Sequence, residues 1–436
     1  MRLSEIAKIT GGRLMGKDVE VSGFSIDSRT VKKGQCFVAI KGSRHDGHDF
    51  VKDAFNKGAS SVIVAKEINI NIPQVVVRDT VEALQCIAFF KRKNFKGKVI
   101  GVVGSAGKTT TKDLIHFVLS KFGKSEKTEG NLNSHIGLPL CMANMDETAD
   151  FWVLEHGASA VGDIRRLVKI TRPHIGVVTA IGEEHLETFK SLDGVIRGNL
   201  EIASFMEEGD FLIVPHSIKD KVNKRVKLIT FGRGGDIEAS DIMVSYDGTK
   251  FKLMGRDVYV PVVSVAIVDN ILACAGVLKA LGRNITSLIP IVKDFKPSVG
   301  RMNLIKRGSL IVIDDSYNSN PLSLRNALLT LSLFPLKKVA ILGDMLELGD
   351  YSERLHREIG KYIAELGIDR VIFYGNEMKY AWEESFKRSV NAKYMETKAD
   401  ILAEISKMGK ESTVFLVKGS RGMKMEEIVN YLLQGE

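Results

Sequence analysis

The chain has 436 residues, of which 44% are hydrophobic and 26% charged, a balance that excludes a disordered or fibrous protein and describes an ordinary folded one. At this length roughly two to four domains are expected rather than one undivided core. The 62 basic residues outnumber the 53 acidic ones for a net charge of +9, but the charges are interspersed. Without a basic arm, a reading helix or a stacking platform they do not describe a nucleic-acid module; an anionic small substrate, or surface composition alone, accounts for the excess.

The first 75 or so residues read as a small α/β unit. LSEIAKIT is a short amphipathic helix ended by Gly11 and Gly12. VEVSGFSID and GQCFVAI are strand candidates, DFVKDAFNKGA is a helix ending at Gly58, and SSVIVAKE and PQVVVRD supply two further strands. The helical TVEALQCIAFFKRKNF leads into a second unit, where the apolar strand KVIGVVG runs into a glycine turn followed by the helix TTKDLIHFVLSKF. FWVLEHG, HIGVVTAIG, DFLIVPH and KLITFG repeat the strand theme, with helices over DIRRLVKI and GVIRGNLEIASFM. Such alternation predicts a mostly parallel sheet covered by helices. Residues 236 to 263 have short alternating runs and predict a small antiparallel patch, after which DNILACAGVLKALG is a helix stopped by Gly282. A third unit opens near Gly300, with strands SLIVIDD, KKVAILG, DRVIFYG and STVFLVKG and helices LSLRNALLTLSLF, SERLHREIGKYIAELG and MEEIVNYLLQ. These strand-helix units predict a separate nucleotide-fold-like domain. The division expected is therefore 1–80, 81–299 and 300–436.

Cys36, Cys86, Cys141 and Cys274 are far apart and form neither a disulfide framework nor a zinc pattern, which suits a reducing cytoplasm. The stretch MRLSEIAKITGG lacks the order of a secretory signal. No uncharged apolar run reaches about 18 residues, so stable membrane insertion is not expected.

The chemistry concentrates first at Gly101 to Thr111, GVVGSAGKTTT. Gly104, Ser105, Ala106, Gly107, Lys108, Thr109 and Thr110 lie between a predicted strand and a predicted helix. A turn there points backbone N–H groups at a phosphate, and the helix start adds a favourable dipole. Lys108 would neutralise the β and γ phosphates of ATP, and the Thr109 hydroxyl would reach Mg2+. The full GxxxxGKT spacing is not met, because Val102 occupies its first glycine position.

Other candidates stand at strand ends, where open α/β sheets bind ligands. Glu155 ends FWVLE and His185 follows IGEEH; both suit a metal region, and an exposed carboxylate or a capping histidine would look the same. Asp314 and Asp315 follow SLIVI: one suits a ribose hydroxyl, the other a turn or helix cap. Lys418, Ser420 and Arg421 make an anion-friendly turn or an ordinary basic loop, and Arg29 and Arg301 are equally open when taken singly.

Taken together, the ordered blocks resemble the bacterial peptidoglycan Mur ligases, and within them the branch that adds a D-alanyl-D-alanine unit. They are IDSRTVKKGQCFVAIKGSRHDGHDF, GSAGKTTTK, EGNLNSHIGLPL, LEHGASAVGDI and EEHLETFKSLDGV, followed by GRMNLIKRG, DDSYNSNP, LGDMLELG and KGSRGM. The resemblance spans nearly the whole chain, and DSYNSNP and GDMLELG favour that branch. It implies an α/β, three-domain architecture: a UDP-precursor domain, a central P-loop ATPase-like parallel sheet, and a C-terminal closing domain of nucleotide-fold type that helps receive D-alanyl-D-alanine.

The implied activity is ATP-dependent amide formation between UDP-N-acetylmuramoyl-tripeptide and D-alanyl-D-alanine through an acyl phosphate, by a monomeric cytoplasmic enzyme. The implied site has Ser28 and Arg29 at the UDP end, Lys108 and Thr109 on phosphate and magnesium, and Glu155 and His185 in the metal region. Asn270 lies near adenine, Arg301 near the nucleotide and Asp315 near ribose, with Asn131 and Asn133 facing the reaction centre. Asn318, Asn320, Lys418 and Ser420 are further substrate candidates.

Departures from the family pattern keep other readings open. Asn199 stands where many relatives carry a carbamylated lysine that supports a second magnesium; Arg197 or Glu201 could substitute, though neither follows from the sequence. Ser264, Ala266 and Ile267 alter the adenine side. A specialised or weakly active paralogue, or a nonenzymatic nucleotide or precursor binder, is therefore the alternative.

Overall fold

The structure is a computed structural model that describes residues 1–222, 226–408 and 412–434. Its chain divides into two compact units. The first comprises residues 1–101, 123–157 and 163–174, and the second 102–122, 158–162 and 175 onward.

In the first unit a five-stranded sheet has the spatial order Arg13–Met15, Gln74–Val76, Ser61–Val64, Cys36–Val38, Phe24–Ser25. Its first pair is antiparallel and the others are parallel. Burial on both faces explains why the strands read as apolar runs rather than clean alternations. Cys36, Val38 and Ile63 pack with Leu3, Ile6 and Leu84 on one side, while Phe37, Ala39, Val62 and Val64 pack with Val51 and Ala54 on the other. The helix Thr80–Asn94 is started by Asp79, whose carboxylate accepts from Val81 N and Glu82 N. Further along, Ser125–Lys127 pairs in parallel with Phe151–Glu155, and Trp152 stacks on Phe95 with ring centroids 4.0 Å apart.

The expected strand over 19–27 shrinks to Phe24–Ser25. Residues 19–22 bond elsewhere, Val19 O and Val21 N to the first residues of the chain and Ser22 N to Gly34 O, and on the open edge of the short strand the Asn144 amide accepts from Phe24 N at 2.8 Å and donates to Phe24 O at 3.0 Å. Strand Arg13–Met15 is too short for its pattern to stand out.

In the second unit Ile175–Val178, Phe211–Pro215 and Lys227–Phe231 are parallel neighbours. The antiparallel patch expected near 236–263 is a three-stranded meander of Ala239–Ser245, Gly248–Leu253 and Arg256–Val260. A six-stranded sheet follows, ordered Asn303–Arg307, Leu310–Asp315, Thr413–Lys418, Lys337–Gly343, Arg370–Tyr374, Ala392–Met395. Only its first pair is antiparallel. Period-two alternation sends Ile313, Ala340 and Leu416 into one core and Val312, Ile341 and Phe415 into the other. The single helix expected over 194–206 is instead Leu192–Leu200 followed by a 3-10 turn, Glu201–Ala203.

Candidate functional site

The strand Lys98–Val103 delivers the glycine loop, and the helix Lys108–Leu119 leaves it. Two glycines shape the turn. Gly104 has φ +138°, and a Cβ there would lie 2.0 Å from Thr179 Oγ1; Gly107 has φ +82°, and a Cβ there would lie 2.7 Å from Asn270 Oδ1. Thr179 fastens the loop through hydrogen bonds from Oγ1 to Val103 O and Ala106 O. No side chain caps the helix that follows, an arrangement suited to an anion at its first turn. Lys108 Nζ donates to Gly104 O and stands 3.5 Å from Glu184 Oε2.

Beside this loop a cavity of about 780 Å3 gathers residues from distant segments: Ser105, Ala106, Gly107 and Thr110 from the loop, Asn270 from the start of helix Ile267–Ala280, and Arg301, Asp315, Asn318, Asn320 and Lys418 from the region after 300. Ser264, Ala266 and Ile267 line it as well. Arg301 donates from Nη2 to Thr109 Oγ1 at 3.0 Å, and its guanidinium lies 4.0 Å from the centre of the Tyr317 ring. Asn320 caps helix Pro321–Ser332 and donates to Ser105 O at 3.0 Å, so it braces the loop.

Asp314 and Asp315 take different parts. Asp314 accepts from Ser316 N and Oγ, a turn cap. Asp315 is buried against Lys418 and accepts from Met302 N. Burial pushes the Asp315 carboxyl up and the Lys418 ammonium down, and the contact between them opposes both shifts. Lys418 also donates to Asn318 O at 2.9 Å.

A second cavity of about 520 Å3 shares Asn318, Ser319 and Asn320 with the first and adds Glu184, His185, Glu347, Ser420 and Arg421. His185 Nδ1 is 2.7 Å from Glu347 Oε2. Ser420 is absorbed locally: its Oγ accepts from Leu346 N and donates to Ser319 O.

In the first unit Glu155 is buried at 2% exposure, not the exposed carboxylate that its sequence position also allowed. Asn133 Nδ2 donates to Glu155 Oε1 at 2.9 Å, whereas Asn131 is exposed. Ser28 and Arg29 line a cavity of about 1760 Å3 that also holds Arg44, His45 and Lys57. Arg29 forks onto Asp27, whose carboxyl this pairing lowers to about 2.

Asn199 does not supply an acid. It is buried and donates to Val195 O of its own helix at 2.9 Å. Of the two residues considered in its stead, Arg197 is exposed beside Asp193, and the Glu201 carboxylate accepts from Gly162 N. Among the described residues no group of three or more His, Cys, Asp and Glu side chains is arranged to hold a metal. The sequence reading passed over Glu184, Tyr317 and Glu347, although each lies inside one of the quoted blocks.

A glycine loop that opens onto a helix, with a strand-end cavity holding Arg301 and Lys418 beside it, is the arrangement of nucleotide-binding α/β proteins of the phosphate-loop kind. The chain belongs to the Mur ligase family. Residues 102–278 match the Mur ligase middle domain, 300–421 the Mur ligase glutamate ligase domain, and 20–96 the Mur ligase family catalytic domain. It is 35% identical to the UDP-N-acetylmuramoyl-tripeptide–D-alanyl-D-alanine ligase of Bacillus subtilis over 99% of this chain and 98% of that protein. To the ligase of the same name from Escherichia coli it is 32% identical, again over 99% and 98%. Among solved structures, MurF from Acinetobacter baumannii superposes with a TM-score of 0.92 at 30% identity, covering 99% of this chain and 98% of that one. MurF ligase from Thermotoga maritima in complex with ADP gives 0.85 at 30% identity, covering 94% and 96%. The three-domain α/β architecture expected from the sequence is that of this family.

Proposed function

We propose that the chain is an ATP-dependent amide ligase that adds D-alanyl-D-alanine to UDP-N-acetylmuramoyl-tripeptide in peptidoglycan precursor synthesis. The observation that carries this reading is the single cavity that unites the glycine loop, Asn270, Arg301 and the Asp315–Lys418 pair, in a chain whose full-length relatives bear that activity in their names.

In the first step an oxygen of the tripeptide's terminal carboxylate bonds to the γ phosphorus, the bond from that phosphorus to the β–γ bridging oxygen breaks, and ADP leaves. In the second, the amine lone pair of D-alanyl-D-alanine forms a C–N bond to the acyl carbon, the C–O bond to phosphate breaks, and the nitrogen gives up a proton. No protein nucleophile is needed; the protein's task is to hold two anionic partners in line.

Lys108 exchanges its contacts with Gly104 O and Glu184 for phosphate oxygens and stabilises the charge that develops there. Arg301, over the Tyr317 ring, adds a second cation at the first turn of the helix. Asn270 and Asp315 face the nucleoside, with Asp315 kept in place by Lys418. Asn133 orients the Glu155 carboxylate, and Ser28 and Arg29 receive the UDP end.

Magnesium of the phosphate-bound kind takes one or two protein oxygens and completes its shell with phosphate and water. Thr109 and Glu155 would supply the oxygens, with His185 in the outer shell; bound there, the ion would neutralise phosphate charge. Domains at 1–80, 81–299 and 300–436 would hold precursor, ATP and dipeptide respectively, in a monomer working in the cytoplasm. No helix among the described residues is long and apolar enough to cross a membrane.

The test combines the purified chain with magnesium, ATP, a UDP-muramoyl tripeptide and D-alanyl-D-alanine, and weighs the products. ADP and the pentapeptide in equal amounts are expected. Ligands that bind without amide formation would make the chain a binder, the outcome that Asn199 in place of a carbamylated lysine would favour.

A further inference from the structure

The net charge of +9 is not spread evenly along the chain. Residues 91–98, KRKNFKGK, carry five basic side chains and residues 165–172, RRLVKITR, carry four, with no acidic one in either stretch. The first stretch runs from the end of helix Thr80–Asn94 into strand Lys98–Val103, and the second makes up most of helix Asp163–Thr171. Both belong to the first unit, and the fold sets them side by side. Ala88, Phe95 and Leu167 share one core, with Ile170 packed against it. Arg92 closes the end of the second helix by donating to Thr171 O at 2.7 Å and to Arg172 O at 2.6 Å, where a helix presents carbonyls without partners. His174 N donates to Val99 O and Val99 N to His174 Nδ1, each at 2.9 Å, so Lys98 and Arg172 flank one junction.

Arg92 is spent on that junction, and Lys91 on Ala143 O and Met145 O. The rest of the charge faces outward: Lys93, Lys96, Lys98, Arg165, Arg166 and Lys169 are exposed. Among the described residues no carboxylate pairs with Lys93, Lys96, Lys98 or Lys169. The acids that border these stretches are engaged, Glu147 with Lys91, Asp150 with Lys124 N and Asp163 with Arg166. The excess is felt at the junction, where burial and then Arg92 and Lys98 hold His174 down to about 4. Phe89, one turn before Lys93 on the same face of its helix, is partly exposed.

None of the three cavities described above includes any of these residues, so the face is not part of a small-ligand site. Cations on long flexible stems, uncompensated and beside a partly exposed phenyl ring, are complementary to an extended anionic surface with an apolar layer beneath it. We propose that this face docks the protein reversibly on a bilayer of anionic phospholipids, with the lysines among the headgroups. A bilayer is favoured over nucleic acid because the two helices share a core and neither is free to enter a groove, whereas a charged sheet requires only proximity. The assignment gives the protein a place and does not depend on the ligase reading.

The test sediments the full-length protein with vesicles of phosphatidylcholine alone and of phosphatidylcholine mixed with phosphatidylglycerol. The protein should pellet with the anionic vesicles only, and less as salt rises. Each basic residue near an anionic surface is worth roughly a factor of five, so the triple variant Lys93→Gln, Lys96→Gln, Lys98→Gln should bind about a hundredfold more weakly. The control triple Lys361→Gln, Lys379→Gln, Lys387→Gln removes the same charge from exposed positions elsewhere and should bind nearly as the wild type does. Thermal midpoints of both triples should match the wild type. Should the first triple fold poorly, Arg166→Gln with Lys169→Gln probes the other helix, with a loss of about 25-fold expected. Equal losses in the test and control variants, or pelleting that ignores phosphatidylglycerol, overturn the docking face. Displacement by inorganic phosphate at constant ionic strength does so too, reducing the face to a site for single phosphate groups. Retention of duplex DNA or RNA without retention on anionic vesicles overturns it in favour of nucleic acid. Ligation measured without vesicles is a separate readout, so the ligase reading stands or falls apart from this one.

Discussion

Arg301 and Thr109 are 192 positions apart, yet the arginine's Nη2 donates to the threonine hydroxyl at 3.0 Å. The contact ties the segment that opens the region after 300 to the first turn of the helix behind the glycine loop, and the guanidinium lies over the Tyr317 ring, 4.0 Å from its centre. Truncation to Arg301→Ala removes both interactions. KM for ATP should rise about tenfold or more, the scale of one hydrogen bond to a charged group, with a smaller effect on KM for the dipeptide. Steady-state kinetics at varied ATP checks this; an unchanged KM would show that the arginine does not meet the nucleotide.

Lys108 should matter far more to turnover than to folding. Its side chain is about one-fifth exposed, with Gly104 O and Glu184 as its partners. Lys108→Ala is expected to cut kcat by roughly 100-fold or more, the scale of losing a preorganised charge stabiliser. The thermal midpoint should move only a few degrees. ADP release and a melting curve on the same sample separate the two effects.

Gly104→Ala tests the loop's shape rather than its charge. The backbone is left-handed there, and the new methyl would meet the Thr179 hydroxyl that fastens the loop. Stability should fall by about 1–3 kcal/mol in urea unfolding, and ADP binding should weaken in parallel. Full nucleotide affinity in a folded Gly104→Ala protein would separate the loop from phosphate binding.

The Asp315–Lys418 pair predicts strong non-additivity. Removing one partner strands a buried charge and costs about 3–5 kcal/mol, whereas replacing both with neutral side chains of similar size costs much less. Lys418→Met should therefore be markedly destabilised, and adding Asp315→Asn should recover much of the loss. Urea midpoints of the two single variants and the double variant complete the cycle. Independent, additive losses would mean that the pair is not coupled.

The glycine turn from strand Lys98–Val103 into helix Lys108–Leu119 was legible because glycine, lysine and threonine between an apolar strand and a helix form a local pattern. The alternating faces of strands such as Leu310–Asp315 were legible for the same reason: burial follows the pleat. Pairings such as Lys108 with Glu184 and His185 with Glu347 were not. They depend on how turns 76 and 162 positions apart are brought together, and no local pattern records that. The strand expected over 19–27 was placed correctly but its short extent, Phe24–Ser25, was not legible, since a side chain at 144 occupies its edge.

Acid should weaken the fold through buried imidazoles. Burial lowers His156 and His174 to about 4, against an ordinary value near 6.5. Between those values the unfolded chain binds protons that the folded chain refuses. The stabilising contribution is therefore complete above about pH 6.5 and is lost as pH falls toward 4. His156 is fully buried and bonded to Thr171 Oγ1 at 2.9 Å and to Leu154 O, so it is one of the two groups that carry this dependence. Thermal midpoints across that window should fall with acidification, and less steeply in His156→Gln than in the wild type.

Asn199 makes a prediction about carbon dioxide. An amide cannot form the carbamate that a lysine forms, and this one donates to Val195 O inside its own helix. Turnover should therefore be the same in buffer stripped of carbon dioxide as in buffer supplemented with bicarbonate. Asn199→Ala should keep activity within a few-fold, because the side chain holds its helix turn and not the phosphate. The same contact explains a modest stability loss in that variant, about 1 kcal/mol for one buried hydrogen bond. ADP release measured in both buffers decides the matter. A bicarbonate-dependent rate would mean that another amine, and not position 199, carries a carbamate.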